Sequence, residues 1–363
     1  MPRGNGNIAI TAQDPAPALN IMASSLVIQT SFLGDTVLTT PLIAHVGARG
    51  PVDVLVTAAA APLLTNNPSI RDVIVYDKRG RDRGVSGFVR LARVLRANRY
   101  AAAYLAQGSV RSAALALAAG VRNRIGFETS AGKRLYTRRI PYLENEHHAA
   151  RLLRLAIGDA LSELPRPRLF PGHAECERVD ALLREHGWNG EPLIALAPGS
   201  IWATKRWPHY AALAESIDGR IVVIGSEADR ELAVAIQRAA GARVIDATGR
   251  LSLLASAELI SRARVLVTND SSPLHLASAM ETPTVAIFGP TVPEFGFGPL
   301  APRSVALGVT TLACRPCDRH GPQRCPLGHW RCTREITPRD VAAAVRELVV
   351  VPAPSTRVST SSS

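Results

Sequence analysis

The chain has 363 residues and a formal net charge of +12, a length that suggests two domains of ordinary size. No apolar run can span a bilayer, because the best candidate, 101–120, is interrupted by Gln107 and Arg111. The positive balance favours anionic partners such as phosphorylated substrates or lipid headgroups, but aromatic residues are only 5% of the chain and do not interleave with basic runs, which argues against single-stranded nucleic acid.

Residues 1–23 are small and polar, without the apolar segment of a secretory leader, and are expected to be a disordered extension. The first strand is Ser25-Leu26-Val27-Ile28, followed by QTSFLGDTVLTTP. Gly34 permits a tight turn and Asp35 can open a helix. This is a strand-loop-helix unit without the GxGxxG of dinucleotide folds. It presents Ser31 and Asp35 at the end of the strand. Asp35 reads either as a plain helix cap or as a carboxylate able to take a proton from a substrate hydroxyl.

Strands recur at 52–57, 72–76 and 101–106, and Phe88, Leu91, Ala92 and Leu95 follow helical spacing between them. Such alternation predicts a parallel sheet with helices on both faces. Two basic clusters interrupt it, KRGRDR at 78–83 and a set from Arg122 to Arg139 that includes Arg124. Each arginine alone reads as solvated surface; together they suggest a cradle for an anionic acceptor. After an amphipathic helix ending near 160, the three prolines of LPRPRLFPG (164–172) mark a connection between domains. The expected division is 24–172 and 173–350, with a disordered tail over 351–363.

The second half repeats the alternation. LIALAPG (193–199) is a strand and glycine turn, and Ser200, Lys205 and Arg206 follow it in the loop before a helix opened near Pro208. Lys205 is one of only three lysines. An ammonium and free backbone N–H groups there would suit a phosphate. Glu227 follows the strand of RIVVIGSEADREL, where a carboxylate can pair with ribose hydroxyls or simply favour the helix dipole. RVLVTNDSSPLHLASAMETPTVAIFGPT (264–291) reads as strand, turn, helix, strand. Its turn gathers Asp270, Ser271 and Ser272, with Ser272 expected to cap the helix, Pro273 at the first helical position and His275 one turn in. Cys314, Cys317, Cys325 and Cys332 form a CxxC pair followed by spacings of seven and six residues. That pattern fits a tetrahedral zinc site, an iron–sulfur cluster, reduced thiols or disulfides.

FLGDTVLTTP, LAPGSIWATKRWP and TNDSSPLHLASAMETPTVAIFGPT, in this order, resemble glycosyltransferase family 9, the lipopolysaccharide heptosyltransferases; CRPCDRHGPQRCPLGHWRCTREITP resembles the heptosyltransferase II branch. The resemblance implies an α/β chain of the GT-B architecture: two doubly wound Rossmann-like domains facing a central cleft, with the last helix often crossing back. It implies an inverting transfer of heptose from ADP-L-glycero-D-manno-heptose to Kdo-lipid A or heptosyl-Kdo-lipid A, with no cofactor and no bound metal. By the same resemblance Asp35 is the general base. Lys205 and Ser200 meet the donor phosphates, and Asp270 meets the heptose hydroxyls. Ser271, Ser272 and His275 hold the diphosphate, and Glu227 the nucleoside. Ser31, Arg122 and Arg124 are expected on the acceptor side. Ser272, where the family often has glycine, and Met280-Glu281, in place of its usual small pair, depart from the pattern. The expected protein is a cytoplasmic monomer in peripheral contact with the inner membrane and without a nucleic-acid partner. Rival readings are a sugar-nucleotide 2-epimerase of the same architecture and a non-catalytic binder of anionic polymers.

Overall fold

A computed structural model describes residues 23–78 and 80–350. The extension and tail expected at the two termini lie outside the described residues, apart from residue 23.

The first sheet is built from β1 (Ser25–Gln29), β2 (Val52–Thr57), β3 (Asp72–Tyr76), β4 (Ala102–Leu105), β5 (Asn123–Phe127) and β6 (Arg138–Ile140). All pairings are parallel, in the order β3-β2-β1-β4-β5-β6. Helix α1 (Leu33–Gly47) follows β1. α2 (Gly84–Ala97), α3 (Val110–Ala118) and α4 (His148–Ile157) complete this half. β1 is buried along its whole length, as expected of a central strand covered on both faces. One face packs under α1 and α4 through Leu38, Leu42, Leu152 and Leu155. The other packs under α2 and α3 through Leu91, Leu95, Ala113 and Ala116. Pro41 lies inside α1 and cannot donate to the Val37 carbonyl; the Thr40 hydroxyl donates there instead at 2.7 Å.

The second half contains α5 (His173–Glu185), β7 (Leu193–Ala197), α6 (Tyr210–Ser216), β8 (Arg220–Val223), α7 (Arg230–Ala240), β9 (Val244–Asp246), α8 (Leu253–Arg262), β10 (Val265–Asn269), α9 (Ser272–Ala279), β11 (Thr284–Ile287), β12 (Ser304–Leu307), α10 (Arg331–Arg334) and α11 (Pro338–Val350). Its sheet is again parallel, ordered β12-β11-β10-β7-β8-β9. Among the described residues the last helix, α11, stays with the second domain: it packs with Ile217 and Val285 on the second sheet, because its apolar face of Val341, Val345 and Leu348 is buried there.

The two halves share core. Val37 and Leu63 join the cluster of α5, α8 and α9, and Leu300 joins the cluster of α1 and α4. Arg151 is 1% exposed. It donates to the carbonyls of Leu143 and Glu144 on its own side and of Phe295 across the boundary. Gly296 has a φ of 94° and leaves it room: a Cβ there would come within 2.6 Å of the guanidinium. Both sheets reverse strand order beside their first strand, between β1 and β4 and between β7 and β10. The crevice beyond such a reversal is where α/β sheets take ligands.

Candidate active site

Three loops leave the two reversal points: β1 to α1, β7 to α6, and β10 to α9. Each carries residues singled out in the sequence. Lys205 ends a short 3-10 turn, Ala203–Lys205. Its Nζ lies 2.6 Å from Oδ2 of Asp270, and both side chains are only 10% exposed. The Thr291 hydroxyl, past the end of β11, donates to the same oxygen at 2.7 Å. Asn269 fixes the two loops against each other. Its Oδ1 accepts from the Trp207 backbone N–H at 3.1 Å, and its Nδ2 donates to the Pro198 carbonyl at 2.8 Å. A carboxylate held by an ammonium and a hydroxyl is fixed in direction.

Helix α9 starts one residue earlier than the sequence suggests. Ser271, with extended φ of −154°, is the cap; Ser272 and Pro273 lie in the first turn. The reason is that β10 runs on to Asn269 and Asp270 still pairs with the Ile287 carbonyl, so the chain leaves the sheet and turns at Ser271. No side chain caps this end. Its first N–H groups therefore remain available to an anion.

Asp35 is the third residue of α1, where its Oδ2 accepts the Phe32 N–H at 3.3 Å. It is thus a helix-start acid as the sequence suggested, but its other oxygen faces His148 Nε2 at 3.7 Å. His275 lies between Asp35 and the Lys205–Asp270 pair. Burial lowers its pKa, Asp270 and Asp35 act in the opposite sense, and Lys205 lowers it further. The Nδ1 atoms of His275 and His148 are buried without a hydrogen-bond partner. Burial also pushes His148 down to about 4 against the pull of Asp35. Both rings are therefore neutral near pH 7 and leave Asp35 without a cationic neighbour in direct contact.

The remaining candidates divide by position. Ser200 Oγ accepts the Trp202 N–H at 3.3 Å in the loop before Lys205. Glu227 sits past the end of β8, is exposed, and pairs with Arg230 at 2.7 Å, which lowers its pKa. Ser31 lies in the loop after β1, its N–H donating to Gln29 Oε1 at 3.2 Å. Arg122 and Arg124 do not join this group. They lie at the start of β5, and in a parallel sheet that is the end opposite the loop after β1. The Arg124 guanidinium is spent on the carbonyls of Leu135 and Val121, both at 2.6 Å. The acceptor cradle expected from them is corrected accordingly. Basic residues of the first domain on the cleft side include Lys78, whose Nζ donates to the Thr30 carbonyl at 2.7 Å, and Arg111, set over the Tyr76 ring.

Four residues escaped the sequence reading. Thr291 and His148 touch Asp270 and Asp35 from distant positions, with no local signal. His320 is the third. Its ring stacks on Trp202 at 6.1 Å and meets Phe32 at 5.7 Å, joining the two halves. Arg319 adds an ion pair to Glu144 at 3.4 Å across the same gap. The signal for both was the histidine and arginine inside the cysteine-rich stretch. All four of those cysteines are free thiols, and no set of three metal-ligating side chains gathers among the described residues.

The profile of glycosyltransferase family 9 (heptosyltransferase) matches residues 88–328. The lipopolysaccharide heptosyltransferase 2 of Salmonella typhimurium is 30% identical over 291 residues, covering 74% of this chain and 84% of its own. The solved structure of Escherichia coli ADP-heptose lps heptosyltransferase II superposes with a TM-score of 0.74 at 26% identity, covering 90% of this chain and 98% of that one. A family 9 glycosyl transferase from Veillonella parvula gives a TM-score of 0.80 at 22% identity, over 92% of this chain and 99% of its own. With two parallel α/β domains facing a cleft and these relatives, the GT-B expectation holds, and the epimerase and polymer-binding readings are not favoured. This chain belongs to glycosyltransferase family 9, the heptosyltransferases.

Proposed function

We propose that the protein transfers heptose from ADP-heptose to the lipid-linked inner core of lipopolysaccharide, with inversion at the anomeric carbon. Asp35 takes the proton of the acceptor hydroxyl as that oxygen attacks the sugar. The departing ADP gains negative charge. Lys205 and the uncapped start of α9, at Ser271 and Ser272, offset it. Asp270, held by Lys205 and Thr291, orients the heptose hydroxyls, and His275 packs as a neutral ring between donor and base. Ser200 adds a hydroxyl near the diphosphate, and Glu227 meets the nucleoside at the rim. Lys78, Arg111 and Ser31 face the acceptor.

The single observation that carries this reading is the meeting of Asp35 from the first domain with Lys205 and Asp270 from the second around one buried imidazole. The enzyme acts as a monomer at the cytoplasmic face of the inner membrane; no helix among the described residues is long and apolar enough to cross a membrane. The test is a transfer assay with a panel of ADP- and UDP-sugars against purified core acceptors. Transfer from ADP-heptose alone is the expected result. Transfer from a UDP-sugar, or sugar epimerised without acceptor, would overturn the assignment.

A further inference from the structure

The outer face of the first domain has a charge pattern unlike the rest of the chain. Between Asp82 and Glu128 there is no acidic residue, while arginines recur through α2, α3 and the turns that follow them. Arg93, Arg96, Arg99 and Arg122 line an open groove of about 920 Å³ at the far end of the sheet from the cleft. None of the four side chains has an ion-pair or hydrogen-bond partner among the described residues.

Beside these charges the same two helices expose apolar side chains. On α2, Val85 is 79% and Val89 38% exposed; on α3, Val110 is 55% and Leu117 46% exposed. Val85, Val89, Arg93 and Arg96 fall within one side of α2 at helical spacing. Val110, Ala114 and Leu117 do so on α3. The opposite sides of both helices are already spent on the sheet. This face points away from the second domain, which is held through α1 and α9, so nothing among the described residues covers it.

We infer that the outer face of α2 and α3 is a docking surface for an anionic lipid bilayer. Guanidinium groups without an ion-pair partner are drawn to anionic headgroups, and short aliphatic side chains between them enter the headgroup boundary. A nucleic acid would use the charges but leave the valines and Leu117 idle. The face is continuous with the acceptor side of the cleft: Val85 and Val110 begin their helices at the end of the sheet where Lys78 and Arg111 stand. A protein seated here would have its cleft beside the membrane, where a lipid-linked acceptor carries its sugars. The inference rests on the reading of that acceptor as lipid-linked.

The test uses the full chain and sedimentation with vesicles of phosphatidylglycerol and phosphatidylethanolamine, against vesicles of phosphatidylcholine. The wild type should pellet with the first and not the second, and release as salt rises. Arg93→Glu with Arg96→Glu should weaken binding about tenfold or more. Val89→Asn with Leu117→Asn should weaken it by a similar factor, about tenfold, although every charge remains. Absence of wild-type binding, or binding by both double variants as strong as that of the wild type, overturns the inference. So does binding that only the arginine changes weaken, which would mark a general polyanion surface. Transfer to a deacylated, soluble acceptor is measured in parallel and should be the same in all three proteins. Its failure in the wild type counts against the proposed reaction, while the vesicle result still decides the surface.

Discussion

Gly34 of the first domain and His275 of the second touch so closely that a Cβ on residue 34 would lie 2.5 Å from the imidazole Cδ2. Position 34, in the first turn of α1, is glycine because a buried ring from the opposite domain occupies the place of a side chain there. His275 is 5% exposed and has no free path away. Asp35, the next residue along, is therefore set against the donor half by a contact that no local rule predicts.

Gly34→Ala should push His275 out of place. Overpacking of this kind costs about 1–3 kcal/mol, and the displaced ring would spoil donor binding. We expect a lower unfolding midpoint in urea and turnover reduced about tenfold or more. His275→Ala in the same chain should restore much of the stability. A double-mutant cycle without coupling between the two positions would contradict the contact.

Asp35→Ala should remove the proton acceptor while leaving the donor half intact. Loss of general-base catalysis lowers turnover by about 10²–10⁴-fold, with ADP affinity nearly unchanged by calorimetry. Unchanged turnover would remove Asp35 as the base.

Lys205→Ala should damage both stability and chemistry. Asp270 would keep only the Thr291 hydroxyl, and leaving a mostly buried charge without its ionic partner costs about 2 kcal/mol or more. Turnover should fall by about 10²–10³-fold with the loss of leaving-group stabilisation. Lys205→Met, which keeps the packing of the stem, should behave almost as badly. Near wild-type turnover in the methionine variant would show that the ammonium does not act on the departing diphosphate.

Acid should loosen the domain boundary. His147 uses both ring nitrogens, Nε2 toward the Gly298 carbonyl at 3.1 Å and Nδ1 accepting the Ala149 N–H at 3.2 Å. Burial pushes it, like His148, from 6.5 down to about 4. A histidine with a depressed pKa binds its proton more readily in the unfolded chain, so stability is full above pH 6.5 and falls as pH drops toward 4. Thermal midpoints measured across that window should decline, and His147→Gln should flatten the decline. A flat wild-type profile would contradict the buried, neutral rings.

The thiols should differ in reactivity. Burial raises the pKa of Cys325 less than the surrounding backbone N–H groups of Trp330, Leu327, His329 and Gly328 lower it. Cys332 is buried and pushed up to about 11, by desolvation first and then by the neighbouring thiols. Alkylation at neutral pH, followed by peptide mass spectrometry, should label Cys325 early and Cys332 last, since the thiolate is the reacting form. The reverse order would mean that the loop is arranged differently in solution.

The alternation of β-branched runs and amphipathic spacing was enough to establish two parallel sheets, because strands and helices obey periods set by the backbone itself. The placing of Asp35 at a helix start, and of Lys205 and Asp270 in the loops just before helices, was legible for the same reason: turn and cap chemistry is local. What the linear order could not supply was contact between loops far apart in the chain. Thr291 on Asp270, His148 on Asp35 and His275 against Gly34 exist only once strand reversal brings those loops to one crevice. The same geometry decided against Arg122 and Arg124. Charge is visible in a sequence, but which end of a parallel sheet it occupies depends on whether it precedes or follows its strand, and there tertiary structure sends those two arginines away from the cleft.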